Sequence, residues 1–125
     1  MLEPTQVIDS FFSHLPSKTL AVGDVIFREG EKGDRMYALM SGEVELIKNG
    51  KVVEVISEHD IFGEGTFVQP GGKRATTAIV SQECQIVELN REKFLFLVQE
   101  TPFFALEVIR SLSSRLRKIK QNQSA

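Results

Sequence analysis

Between residues 18 and 89 the chain runs in short apolar segments, each closed after about eight to twelve residues by Gly, Asn or Pro. That rhythm leaves no room for the helices of βαβ units and points to an antiparallel sandwich or jelly roll. Asn49-Gly50, between VELIK and KVVEVI, is the strongest hairpin signal, because a type I′ turn wants φ > 0 at both central residues. Val44 and Leu46 alternate with Glu43 and Glu45, the mark of a half-buried strand. Helical periods flank this zone. Over residues 5–14, Val7, Ile8, Phe11 and Phe12 recur at helical spacing, with Thr5 as a candidate cap. From Arg91 a helix is expected to run to about Glu100, where Thr101-Pro102 breaks it and starts another with Pro in its first turn.

By length the 125 residues are expected to make one domain, big enough for a single core but not two. With 42% apolar and 26% charged residues, the chain reads as an ordinary soluble globule rather than a disordered or membrane-embedded one. A net charge of −2 exerts no global pull toward nucleic acid or acidic membranes. No apolar run approaches the ~20 residues of a membrane span, and MLEPTQVIDSFF lacks a basic signal-peptide start. A single cysteine, Cys84, cannot form an internal disulfide and is expected to pack as a small hydrophobe. These features together lead us to expect a cytoplasmic protein.

Catalysis finds little support. His14 and His59 lie in different zones, and neither has the close Ser or Cys partner of a nucleophilic site. Glu58-His59-Asp60 reads as a solvated turn. Two isolated histidines and one cysteine do not make a metal site, so no metal and no enzyme are expected.

The stretch FGEGTFVQPGGKRATTA, residues 62–78, carries chemistry instead. A Gly-Glu pair opens a tight turn, and ten residues after Glu64 comes Arg74, read as the start of a strand. Pro70-Gly71-Gly72 between them can bring the ends together. Backbone N–H groups at a short helix start and a Gly-rich turn suit a phosphate. Arg74 adds a planar, permanently charged fork. Glu64 beside a phosphate makes sense only if it accepts from a hydroxyl or pairs with Arg74. Strand parity would put Arg74 and Thr76 on one face with Ala78 and Val80, but Ala75, Thr77 and Ile79 are almost as apolar, so parity leaves the direction open.

This stretch resembles the phosphate-binding cassette of the cyclic nucleotide-binding domain, shared by catabolite activator proteins, cyclic-nucleotide-dependent kinases and gated channels. The likeness continues through GDVIFREGEKGDRMYALMSGEVELI, residues 23–47, where Gly23, Gly30, Gly33, Tyr37 and Gly42 fall in register. It covers about residues 7–120. The resemblance implies one mainly β domain over residues 1–125, a jelly-roll β-sandwich (double-stranded β-helix) with flanking helices: an N-terminal helical segment at 1–16, the roll at 17–90 and two C-terminal helices at 91–121. It implies a regulatory module that binds a cyclic nucleotide and moves its C-terminal helices, with a protein-interaction domain that has lost its ligand as the alternative. By the same likeness Phe62, Gly63 and Glu64 lie where ribose and phosphate bind, Glu64 taking the ribose 2′-hydroxyl. Gly65 and Thr66 would offer N–H groups to the phosphate, Arg74 would neutralise it, and Ala75 and Thr76 would line the pocket. Gly65-Thr66-Phe67 departs from the more usual aliphatic, small residue and Leu, and Gly65 loosens the short helix. Cyclic AMP is favoured over cyclic GMP, because kinase domains selective for cyclic AMP tend to carry Ala where this chain has Ala75.

In the last helix Ala105, Ile109, Leu112, Leu116 and Ile119 form a coiled-coil-like stripe only about two heptads long, which makes this helix the candidate surface for a homodimer. Phe104 and Val108 widen it toward its start, so its first half is expected to pack on the sandwich and its second half to project. Arg110, Arg115, Arg117, Lys118 and Lys120 read as a solvated outer face that also suits the helix C-terminus. Transcription factors of this family continue into a DNA-binding domain here. None is expected within this chain, and the effector protein stays unidentified.

Overall fold

The structure, a computed structural model, describes residues 3–124. Helix α1 (Pro4–Phe12) precedes six strands: β1 (Lys18–Leu20), β2 (Val25–Phe27), β3 (Arg35–Lys48), β4 (Lys51–Ser57), β5 (Ile61–Phe62) and β6 (Thr77–Asn90). Helices α2 (Arg91–Glu100) and α3 (Phe103–Ser124) follow. All strand pairs are antiparallel, in the order β1-β6-β3-β4, with β2 also on β6 and β5 also on β3.

The two 14-residue strands β3 and β6 are the spine of the roll. They bend where the register slips between Leu39 and Val44. Gly42 sits in this bend with φ +89°, and a Cβ there would come within 2.6 Å of the Cys84 Cβ. The slip resets side-chain parity. Tyr37 and Leu39 before the bend therefore share one core with Val44 and Leu46 after it. That inner core also takes Phe27, Ile56, Phe62, Ala78, Val80, Cys84 and Ile86. The Asn49-Gly50 turn has φ +52° and +77°, as a type I′ hairpin requires.

The outer face of the same strands, Met36, Ala38, Val87 and Leu89, together with Ile61 of β5, packs on Val7 and Ile8 of α1, Leu97 of α2 and Phe104 and Val108 of α3. Asn90 caps α2 by accepting from the Lys93 N–H. Thr5 is not a cap. It is 2% exposed and its hydroxyl donates to the His59 carbonyl at 3.3 Å, while the Glu3 N–H at the start of α1 takes the Gln6 side-chain oxygen. Nor is Glu58-His59-Asp60 merely a solvated turn. The Asp60 carboxylate accepts from the Ile61 N–H and from the Ser111 hydroxyl, which ties this turn to α3. The expected stripe on α3 also turns outward: Ile109, Leu112 and Leu116 are exposed, whereas Phe104 and Val108 are buried.

Candidate functional site

Strand β5 ends at Phe62, and the next residue, Gly63, with a φ of +81°, turns the chain into a 3-10 turn, Glu64–Phe67. A second turn, Pro70–Gly72, leads to Arg74. The loop of residues 28–33 lies alongside. The Gly30 N–H donates to the Arg74 carbonyl at 2.8 Å, the Arg74 N–H to the Glu31 carbonyl at 2.7 Å, and the Gly33 N–H to the Gly72 carbonyl at 2.9 Å. Thr66 Oγ1 closes the cassette, 2.7 Å from the Gly33 carbonyl and 2.8 Å from the Gly72 carbonyl. Because Lys73 and Arg74 pair with this loop, Arg74 does not begin a strand: β6 starts at Thr77. Arg74 therefore has no strand parity to set its direction, yet it turns inward.

Arg74 is 6% exposed. Its Nη1 donates to the Gly63 carbonyl at 2.7 Å and its Nη2 to the Arg35 carbonyl at 2.6 Å. The guanidinium carbon lies 4.2 Å from the centre of the Phe27 ring. Phe27, Tyr37 and Phe62 stack beneath it with centroids 5.3–6.2 Å apart. Glycine makes room for this pose. A Cβ on Gly33 would lie 2.5 Å from Arg74 Cζ, and one on Gly63 would lie 3.0 Å from Nη1. Arg74 Nε is buried with no hydrogen-bond partner among the described residues. The side chain bonds to neutral carbonyls rather than carboxylates, and its burial opposes the charge. A buried cation supported in this way fits an anionic ligand.

Glu64 meets Arg115 of α3, not Arg74. Arg115 is mostly buried, which corrects its expected place on a solvated outer face. It grips Glu54 of β4 through Nε (2.5 Å) and Nη2 (3.2 Å), while Nη1 donates to the Ile61 carbonyl (2.8 Å) and lies 3.5 Å from Glu64 Oε1. Burial raises the Glu64 pKa above the ordinary carboxyl value of 4.5, and Arg115 offsets only part of that. A carboxyl raised in this way stabilises the fold fully below its unfolded pKa, and the contribution is lost as pH rises through the folded one. Glu64→Gln is therefore expected to stabilise the ligand-free chain at pH 7, with the advantage vanishing below about pH 4.5. Denaturant midpoints across this range decide the point; a less stable Glu64→Gln at pH 7 would show that the Arg115 attraction outweighs burial.

The other expected residues are less uniform. Phe62 is wholly buried and belongs to the ring stack rather than to an open wall. Gly65 and Thr66 lie on the 3-10 turn, half-buried. Ala75 is exposed, with its carbonyl 3.4 Å from Lys48 Nζ, and Thr76 is half-buried. Reading the residues by type missed Phe27, Arg35, Glu54 and Arg115. Arg115 left a signal, since it follows Phe104, Val108 and Ser111 at steps of four, three and four, on the face that packs against the roll.

Comparison with known proteins identifies the family. The cyclic nucleotide-binding domain profile matches residues 17–101. A CRP-like cAMP-activated global transcriptional regulator of Mycobacterium tuberculosis is 29% identical over 105 residues, covering 80% of this chain and 46% of the regulator. A cGMP-dependent protein kinase of Eimeria tenella is 35% identical over 77 residues, 62% of this chain and 8% of the kinase. The regulatory domain of Toxoplasma gondii PKA, co-crystallised with cAMP, superimposes with a TM-score of 0.64 at 27% identity, over 76% of this chain and 38% of that one. The chain thus spans less than half the length of each of these three. With the profile matching well over half of its residues, the chain belongs to the cyclic nucleotide-binding domain family.

Proposed function

We propose that the chain is a regulatory module that captures a cyclic nucleotide, preferentially cyclic AMP, and passes that event to its last helix. It acts by binding rather than catalysis. The observation that carries this reading is the buried Arg74 guanidinium, held between two backbone carbonyls with Nε unpartnered among the described residues. Arg74 neutralises the cyclic phosphate, Gly65 and Thr66 offer N–H groups to it, and Glu64 accepts from the ribose 2′-hydroxyl. The outward stripe of Ile109, Leu112 and Leu116 suits the same helix of a second copy. A thermal-shift titration tests the core of the reading, since ligand at ~100 times its dissociation constant adds about 2.7 kcal/mol of stability. No shift with either cyclic nucleotide would favour the alternative, a domain of this fold that serves protein interaction.

Coupling has a physical route. Asp60–Ser111 and Glu64–Arg115 both join α3 to the segment that carries the cassette. Ligand should therefore change hydrogen exchange over residues 103–119 as well as over 62–77.

Selectivity rests on Ala75. A guanine amino group brought to this methyl finds no acceptor; because Ala75 is exposed in the ligand-free chain, the expected cost is the lower end of the buried range, about 1 kcal/mol or roughly fivefold to tenfold in affinity. Competition binding is expected to favour cyclic AMP, and Ala75→Thr to narrow the gap. The names of the relatives include both cAMP-activated and cGMP-dependent proteins, so this measurement carries the decision. Equal or tighter binding of cyclic GMP would overturn the assignment.

A further inference from the structure

Glu54 faces the wrong way for an ordinary strand carboxylate. On β4, at the sheet edge, Val52, Val53 and Val55 are exposed, while Glu54 is half-buried and shares a face with the core residue Ile56. It opposes Leu46 of β3 across the ladder. What keeps it there is Arg115, which gives it a two-point grip at 2.5 and 3.2 Å. Glu64 receives only one Nη1 of the same guanidinium, at 3.5 Å, and shares it with the Ile61 carbonyl. All three side chains are mostly buried, with 14–17% of their surface exposed. One cation thus serves two carboxylates and leaves an excess negative charge beside the cassette.

We infer that Glu54 is a positioning residue that competes with Glu64 for Arg115, holding α3 on the edge strand and weakening capture of an anionic nucleotide. This rests on the reading of the site given above. While Glu54 keeps its two-point grip, Arg115 cannot offer Glu64 the same fork. The Glu54 charge also adds to that of Glu64 against an incoming phosphate. When the Glu54 charge is removed, the guanidinium turns wholly to the cassette.

The test is Glu54→Gln, which keeps the shape of the side chain and removes its charge. Without ligand, hydrogen exchange over residues 103–122 should lose protection, while the strands at residues 35–48 and 77–90 keep theirs. With cyclic AMP, calorimetry should show binding about fivefold tighter or more, the lower end of the coupling between linked sites. Glu54→Gln combined with Arg115→Met should lose that gain, because the gain needs the guanidinium. A merely structural role predicts weaker binding instead. Unchanged helix protection, or unchanged or weaker binding in Glu54→Gln, overturns the inference. If the unaltered chain binds no cyclic nucleotide, the reading of the site fails, and the ligand-free exchange experiment alone decides whether Glu54 holds the helix.

Discussion

Arg74→Ala is expected to weaken cyclic nucleotide binding by about 2–5 kcal/mol, roughly thirtyfold to several thousandfold, when measured by calorimetry. The size follows from the pocket. Arg74 is buried over an aromatic ring, and no carboxylate bonds to it, so a bound phosphate would be its charge partner in a partly dry place. Arg74→Lys should restore little, because one ammonium cannot reach both the Gly63 and Arg35 carbonyls and still present a flat fork. Stability should move differently. Arg74→Met keeps most of the volume over Phe27 and removes an uncompensated buried charge, so the ligand-free fold should lose little or even gain. Binding lost without stability lost would separate a ligand-serving arginine from a structural one. Unchanged affinity in Arg74→Ala would remove Arg74 from the site.

The sequence carried the architecture well because turns and periodicity are local. Asn49-Gly50 needs positive φ at both positions and gets it, and Thr101-Pro102 separates α2 from α3 as the missing proline N–H dictates. What stayed hidden was set by contacts distant in the chain. Thr5 looked like a helix cap because its hydroxyl has no visible rival in the sequence, yet the His59 carbonyl 54 positions away takes it. Arg74 looked like the start of a strand because nothing local says that residues 30–32 will take its hydrogen bonds before the sheet does. Arg115 lay in a basic run without acids, and the two acids that pull it inward are 51 and 61 positions earlier. Glu54 could not be read as inward-facing, because an edge strand with valines outward and a carboxylate inward inverts the usual pattern.

Arg115→Ala is expected to lower the stability of the ligand-free chain by about 2–4 kcal/mol, somewhat below the range for breaking a fully buried ion pair. The reason lies less in the attraction lost than in what remains. Glu54 and Glu64 would be left facing one another with 16% and 17% of their side-chain surface exposed and no guanidinium between them. The Ile61 carbonyl would also lose a donor at 2.8 Å. A urea titration should show the midpoint fall with little change in slope, since the surface exposed on unfolding is nearly the same. The loss should shrink as pH falls, because protonating either carboxyl removes the repulsion that the substitution uncovers. Combining Arg115→Ala with Glu54→Gln and Glu64→Gln should recover most of the stability, which simple loss of helix packing would not do. The triple variant should still bind poorly and should show no ligand-dependent protection over residues 103–119, since α3 would have lost its charged tie to the cassette. A small loss in Arg115→Ala alone, unaffected by pH, would mean that the apolar contacts of Phe104 and Val108 hold the helix and that the ion cluster is incidental.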